Sequence, residues 1–141
     1  MLEHSMHAKV TWGDTDMAGI IYYPNYFNWF NNGSLEMFNA IGLPPRELMS
    51  QQKIGLPLLD VGCRFCKPLY FNDEIRVVTK LVEVNEKTFR LEHEVYRGDE
   101  LTGKGHELRG WVHFDEAGNL KALPIPDEVR KILTGSAAPK V

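Results

Sequence analysis

The chain is short of cysteine, of long apolar runs and of positive charge, and each shortage removes a class of function. No stretch of its 141 residues approaches the ~20 apolar residues that cross a bilayer. Met1 to Met6 lack the apolar core of a signal peptide, so a cytoplasmic location without a membrane partner is expected. A net charge of -3 offers none of the basic footprint that binding to a phosphate backbone requires, which argues against nucleic acid as a partner. Cys63 and Cys66 are the only cysteines, and their C-x-x-C spacing superficially suggests metal or redox chemistry. Zinc would need two further ligands of matching spacing, and no second pair exists, so no metal site is expected. A redox pair would sit at a helix start, whereas this segment alternates like a strand. None of Ser5, Ser34, Ser50 and Ser136 stands in a Gly-x-Ser-x-Gly elbow, and no phosphate-cradling or dinucleotide glycine pattern is present.

What remains is a chain with 43% hydrophobic and 25% charged residues, enough to bury one core. We expect a single domain over residues 1–135 and a frayed tail over 136–141. Residues 7–12 alternate as a strand that ends at Gly13-Asp14. From Pro24, the stripe Phe27, Phe30, Ser34, Met37, Phe38 and Ile41 predicts a long helix, stopped by Gly42 and Pro44-Pro45. Gly33 inside it costs about 1 kcal/mol relative to alanine, which predicts close approach of a strand or partner. A short second helix is expected over 45–52. Strands are expected over 58–66, 74–84, 87–97 and 101–114, with a terminal helix over 127–133. Within 87–97, Phe89, Leu91, His93 and Val95 share the inward face. Gly103, Gly105 and Gly110 mark a bulge or strong twist in the last strand. One helix covering an antiparallel sheet defines an α+β fold.

Candidate chemistry concentrates between the first strand and the long helix. Asp14 and Asp16 flank Thr15 there, and Met17-Ala18-Gly19 leaves room for close backbone approach. The N–H groups of Ile21 to Tyr23 precede the helix and can converge on one oxygen. A helix start carries about half a positive charge, suited to a carbonyl that is becoming an oxyanion. An acid able to act as nucleophile or general base beside such donors is a minimal kit for acyl transfer to water.

The segment Gly13-Asp14-Thr15-Asp16-Met17-Ala18-Gly19-Ile20-Ile21-Tyr22-Tyr23-Pro24-Asn25-Tyr26 resembles the active-site segment of the bacterial 4-hydroxybenzoyl-CoA thioesterase family, of hot-dog fold. The stretch from Phe65 to Glu74 and the terminal Ile125-Pro126-Asp127-Glu128-Val129 are similar to that family as well. The resemblance implies hydrolysis of an acyl-CoA thioester with no cofactor, coenzyme A being part of the substrate. It implies that Asp16 is the catalytic carboxylate, that the Tyr23 backbone N–H polarises the thioester carbonyl, and that Gly19 admits the acyl group. Tyr22 and Tyr26 are then either core aromatics or contacts to the acyl ring. Asn31 stands where aromatic-specific members carry an acid near that ring. Leu56 replaces a small polar residue and makes the acyl pocket more apolar, and Asp60 is a second polar group approaching it. The family's basic run toward the coenzyme A phosphate is reduced to Lys87, with Arg64, Lys67, Arg90 and Arg109 as alternative cations or solvated strand residues. His93 reads as a satisfied core or interface histidine. The resemblance further implies a homodimer, with sites at the subunit interface, assembled into a homotetramer. An aromatic, benzoyl-type acyl-CoA is the leading substrate. A short-chain acyl-CoA or acyl-carrier-protein thioesterase of the Tol-Pal-associated type is the alternative, and an acyl-CoA-binding protein without turnover is a third reading.

Overall fold

Strand β1 (Glu3–Lys9) leads through a 3-10 turn at Trp12–Asp14 into helix α1 (Asn25–Ala40) and helix α2 (Pro45–Gln52). Strands β2 (Ile54–Gly55), β3 (Leu58–Phe65), β4 (Glu74–Val84), β5 (Thr88–Arg97), β6 (Glu100–Gly110), β7 (Val112–Phe114) and β8 (Leu120–Ala122) follow, and helix α3 (Asp127–Leu133) comes last. These elements belong to a computed structural model that describes residues 2–136. All but the first residue of the expected tail, 137–141, lies outside the described residues.

The main sheet has the antiparallel order β1-β4-β5-β6-β3, and β2-β7-β8 form a small second sheet. Helix α1 lies against the main sheet, and its contacts run from β1 and β4 to β6 and β3. A helix embraced by one antiparallel sheet is the hot-dog arrangement, and α+β is the fold class. Because β3 is bonded only to β6, its other edge is unpaired among the described residues. That edge carries exposed Leu58, Leu59, Val61 and Phe65.

Helix α1 forms where the apolar stripe predicts it, and Gly42, at φ 80°, supplies the left-handed residue that ends it. Its buried face comprises Tyr26, Trp29, Phe30, Ser34, Met37 and Phe38, with Gly33 between them. The expected close approach occurs at Gly33, where a Cβ would lie 2.6 Å from Thr79 Oγ1 of β4. Gly103 and Gly105 face the Tyr26 and Phe30 rings, so these glycines make room for the helix. A register irregularity does fall beside them, between Val95 and Tyr96 of β5.

Two expected strands are corrected. The first runs over Glu3–Lys9 and not over 7–12, because Thr11 and Asp14 form a capping box that draws the chain out of the ladder. Thr11 N–H donates to Asp14 Oδ2 at 2.9 Å, and Asp14 N–H donates to Thr11 O at 3.0 Å. The strand expected over 101–114 is two strands in different sheets. Its break falls at Trp111, whose N–H donates to Lys87 O while its carbonyl accepts from Leu123 N–H. The two-residue β2 and three-residue β8 are too short to leave an alternation in the sequence.

The core has two apolar clusters with a polar layer between them. Tyr26, Trp29 and Phe30 join Val10, Leu69 and Val77 in one; Met37 and Phe38 join Leu81, Phe89, Leu91 and Trp111 in the other. Ser34 separates the clusters on α1, Thr79 separates Val77 from Leu81 on β4, and His93 separates Leu91 from Val95 on β5. All three are buried, and Glu107 of β6 completes the layer at 0% exposure.

Candidate active site

The segment between β1 and α1 folds back on itself as a small hairpin. Isolated bridges join Thr15 to Ile21 and Ile20 to Tyr70, and Gly19 turns the chain at φ 82°. The two acids acquire different surroundings within it. Asp14 is spent on structure: its carboxylate caps Thr11, and its carbonyl accepts from Tyr22 N–H at 2.8 Å and Asn25 Nδ2 at 2.8 Å. Asp16 is exposed, and its Oδ1 accepts from Ala18 N–H at 2.8 Å. Asp16 Oδ2 has no partner among the described residues, so one carboxylate oxygen is left for a substrate or water.

The helix start is more selective than the sequence suggests. Of the three N–H groups expected to be free, that of Ile21 donates to Leu69 O at 2.9 Å and that of Tyr22 to Asp14 O at 2.8 Å. Only the Tyr23 N–H lacks a partner among the described residues. It stands immediately before the first turn of α1, where helix geometry leaves donors unsatisfied and the macrodipole is positive.

Two apolar grooves flank this point. One, of about 290 Å³, is lined by Ile20, Ile21, Tyr23, Tyr26, Phe65 and Pro68. The other, of about 610 Å³, contains Asp16 with Trp12, Thr15, Met17 and Tyr22. The Tyr22 and Tyr23 rings meet edge to face at 5.6 Å and form the partition, and Tyr23 reaches Phe65 at 6.1 Å. Trp12, Met17, Tyr22 and Tyr23 are all more than half exposed, an uncommon concentration of uncovered apolar surface around one carboxylate.

The other residues singled out from the sequence scatter. Tyr26 is buried, donates from its hydroxyl to Thr102 Oγ1 at 3.2 Å, and only borders the first groove; burial pushes its phenol pKa up. Leu56 packs in the second core cluster within this chain, with Leu48 of α2 and Ile54 of β2, and lines neither groove at the hairpin. Asp60 does not approach an apolar pocket: it is exposed and bonds His106 Nε2 at 2.8 Å on the face of the sheet turned away from α1. Lys87 lies beyond the far end of β4 from the hairpin; eleven residues of strand put roughly 35 Å between them within one chain.

Among the alternative cations, Arg64 and Arg90 line a cleft of about 500 Å³ on the outer face of the sheet, and Lys67 pairs with Glu100 at 3.0 Å. Arg109 is not a solvated strand residue. It is 5% exposed and binds Glu107 Oε2 at 2.9 Å, Leu56 O at 2.7 Å and Asn31 Oδ1 at 2.8 Å. Cys63 and Cys66 both point at the Arg64 carbonyl, and burial, helped by the neighbouring Cys66, pushes the Cys63 thiol up to about 11. A thiol held protonated in this way is a poor nucleophile.

Sequence reasoning missed the buried Glu107. The carboxylate accepts from Ser34 Oγ, from His93 Nε2 at 3.0 Å and from Arg109, and Thr79 Oγ1 lies 2.9 Å from His93 Nδ1. Burial alone would raise its pKa, but the His93 hydrogen bond and the Arg109 charge outweigh that and hold it at about 2. Ser34, His93 and Glu107 are the residue types of a nucleophilic triad, yet all are at most 1% exposed, and Ser34 bonds the carboxylate directly, which leaves its hydroxyl no route to a substrate. The usable signal was the period of two in β6: Gly103, Gly105, Glu107 and Arg109 share the inward face, as Phe89 to Val95 do in β5.

A hot-dog sheet around one helix, with a free carboxylate and a free N–H at that helix's start, defines an acyl-transfer scaffold. The model of the thioesterase-like superfamily matches residues 10–133, and the chain belongs to that superfamily as a hot-dog thioesterase. Among curated relatives, it is 28% identical over 129 residues to the 4-hydroxybenzoyl-CoA thioesterase of Pseudomonas sp. (strain CBS-3), covering 86% of this chain and 91% of the relative. Among solved structures, it is similar to a gentisyl-coenzyme A thioesterase at 35% identity and TM-score 0.81, covering 93% and 99% of the two chains. It is also similar to a 4-hydroxybenzoyl-CoA thioesterase variant complexed with 4-hydroxybenzoyl-CoA, at 28% identity and TM-score 0.86, covering 93% and 98%. No described helix is long and apolar enough to cross a membrane.

Proposed function

We propose that this chain hydrolyses the thioester of an aromatic acyl-CoA to the free acid and coenzyme A. The observation that carries the reading is one hairpin in which Asp16 keeps an unbonded carboxylate oxygen and Tyr23 an unbonded N–H, beside uncovered aromatic walls. The Tyr23 N–H binds the thioester oxygen and stabilises the oxyanion as the carbonyl carbon is attacked. Asp16 either takes a proton from the attacking water or itself attacks to give a mixed anhydride that water then cleaves. In both cases the carbon–sulfur bond breaks and the thiolate leaves to be protonated. The chemistry asks for no metal or organic cofactor. Support for an aromatic acyl group comes from the relatives, whose names include 4-hydroxybenzoyl-CoA, gentisyl-CoA and 1,4-dihydroxy-2-naphthoyl-CoA activities.

The same reading takes a homodimer as its unit, with the open β3 edge as the joining strand: an unpaired edge flanked by Leu58, Leu59, Val61 and Phe65 is a ready surface for strand addition. Two dimers would then form the expected homotetramer, and sedimentation velocity tests both steps. Lys87 and the substrate's phosphates would meet Asp16 across subunits, consistent with their wide separation in one chain. A cytoplasmic location remains part of the reading.

The test is thiol release over a panel of benzoyl-CoA, short aliphatic acyl-CoA and acyl-carrier-protein thioesters, with Asp16→Asn beside the parent. We expect benzoyl-type substrates to lead and Asp16→Asn to lower kcat by about 10²- to 10⁴-fold. Parental turnover in the variant would remove Asp16 from the mechanism. A tenfold preference for aliphatic or carrier-protein substrates would favour the second reading, a short-chain or carrier-protein thioesterase. That reading draws on Asn85 and Glu86, which leave Lys87 as the sole cation of its loop.

A further inference from the structure

We propose that Arg97 is a positioning residue of the reaction: its guanidinium clamps the loop 66–73 between β3 and β4, and that loop sets the register of the hairpin carrying Asp16 and the Tyr23 N–H. The inference rests on the hydrolase reading above and concerns how the two reacting groups keep their geometry, since Arg97 lines neither groove.

The segment from Val10 to Ile21 leaves the main sheet after β1 and hangs from that one loop at both ends. At its start, Val10 N–H donates to Asp73 O and Asn72 N–H donates to Val10 O, each at 2.9 Å. At its end, Ile21 N–H donates to Leu69 O at 2.9 Å, and Ile20 bridges Tyr70. Asp16 lies between these ties, and the Tyr23 N–H lies two residues beyond the second. A displacement of residues 69–73 therefore carries the hairpin with it, and it frees the Ile21 N–H beside the one assigned to the thioester.

The loop's backbone has little hold of its own. Cys66 and Lys67 N–H donate to Thr102 O, but from Pro68 to Tyr70 the backbone makes no hydrogen bond to the main sheet among the described residues. Leu69 pins the loop to the core through its buried side chain, whereas the direction of its carbonyl depends on the residues on either side. Arg97 holds both sides. Its Nη1 donates to Pro68 O at 3.2 Å and to Asp73 Oδ2 at 2.8 Å, which brackets Leu69 and Tyr70, the two residues that hold Ile21 and Ile20. Asp73 Oδ2 also accepts from Tyr70 N–H at 2.8 Å, so one carboxylate oxygen joins the arginine to the turn. The arginine is braced from behind: Nη2 donates to Glu100, its register partner across the Gly98-Asp99 turn, and Glu100 also pairs with Lys67 at 3.0 Å. A planar guanidinium presents donors in fixed directions and bridges these oxygens at once, which an ammonium on a flexible stem does less well. The four side chains are 22–54% exposed, so the network adds little to global stability. Its effect is local, where a misplacement of about 1 Å at the reacting groups can cost about 10²-fold in rate.

The experiment measures kcat and KM by thiol release, on whichever thioester of the panel above the parent cleaves fastest, together with amide hydrogen exchange by NMR. The variants are Arg97→Met, Arg97→Lys, Asp73→Asn and the double variant Arg97→Met/Asp73→Asn. In Arg97→Met we expect kcat to fall about 10- to 100-fold with KM within about threefold of the parent, since what is lost is geometry needed only in the transition state. The Ile21 amide exchanges about tenfold faster, while that of Leu91, in the middle of β5, keeps the parental rate. Arg97→Lys and Asp73→Asn fall between parent and Arg97→Met, and the double variant stays within about twofold of Arg97→Met, because both residues serve one clamp. Parental kcat in Arg97→Met overturns the inference. So does a KM raised about tenfold, which would make Arg97 a substrate-binding cation. A loss of kcat with unchanged Ile21 exchange overturns it as well, as does equal acceleration at Ile21 and Leu91, the mark of general destabilisation. Absence of thiol release in the parent removes the hydrolase reading instead, and the Ile21 exchange rate then decides the clamp by itself.

Discussion

Asp16 and Glu107 are both carboxylates beside α1, one at its start and one under its middle, and they have opposite fates. Asp16 is exposed and accepts a single hydrogen bond, from Ala18 N–H. Glu107 is fully buried and accepts from Ser34, His93 and Arg109. An acid that is fully buried and already accepts from three side chains can hold elements together but cannot attack a substrate. An exposed acid with a free oxygen contributes little to stability and is available for chemistry. The number of protein donors already committed to a carboxylate therefore separates a structural acid from one open to substrate better than the acid's mere presence in a motif. Asp14 supports the point, since it lies two residues from Asp16 and is consumed by the capping box.

If this contrast is right, removing each acid must damage a different property. Asp16→Asn leaves the urea unfolding midpoint where it was while turnover collapses. Glu107→Ala has the converse signature. It strands Arg109 and His93 in the core, and losing one partner of a buried ion pair costs about 3–5 kcal/mol of stability, read as a lower urea midpoint. An unchanged midpoint in Glu107→Ala would break the comparison, for it would mean that the polar layer does not bind α1 to the sheet.

Acid sensitivity tests the same asymmetry more gently. Glu107 is held at about 2 in the folded chain against an ordinary 4.5, so the unfolded chain binds its proton first as the pH falls. The stability that this group supplies is complete above pH 4.5 and is lost between there and about pH 2. Glu107→Gln should flatten that limb of the stability profile, and Asp16→Asn should leave it unaltered. An acid limb that survives in Glu107→Gln would assign it to other carboxylates.

Gly33 probes the layer from the helix side. Alanine raises helix propensity by about 1 kcal/mol, but its Cβ would lie 2.6 Å from Thr79 Oγ1, which is 0% exposed and bonded to His93. Overpacking costs about 1–3 kcal/mol, so Gly33→Ala should be destabilised by about 1 kcal/mol net in urea titrations. A stabilised variant would show that the helix can lift off Thr79.

Much of this was legible beforehand, for identifiable reasons. The α1 stripe and the alternation in β5 are long enough for periodicity to fix both element and face, and β4 was legible as an element. The turn at Gly19 and the start of α1 were legible through local residue types, whereas the back-folding that bridges Thr15 to Ile21 was not. What escaped was set by contacts distant in sequence. Arg109 of β6 read as a cation or a solvated strand residue and Glu107 went unread, because the partners that bury them, His93, Asn31 and the Leu56 carbonyl, lie on other segments. The end of β1 was decided by a Thr11–Asp14 hydrogen bond that alternation does not register. Leu56 and Asp60 were assigned by analogy to a pocket, and the chain entering β3 turns one into the core and the other to the outer face of the sheet. Of three helix-start donors, two were consumed by Leu69 and Asp14, which no reading of residues 21–23 alone could reveal.

That last point yields the smallest expected effect and the finest test of the site. If Tyr23 acts through its backbone, Tyr23→Phe keeps the donor, the ring and the 6.1 Å contact with Phe65, and removes only a hydroxyl from a residue that is 58% exposed. Such a change at the surface amounts to about twofold in kcat, against the hundredfold or greater loss in Asp16→Asn. Tyr22→Phe, on the other side of the ring partition, is the control for general loss of groove polarity. Were Tyr23→Phe to fall with Asp16→Asn while Tyr22→Phe did not, the phenol would be the group facing the thioester. The spare N–H would then be no more than an unsatisfied helix end.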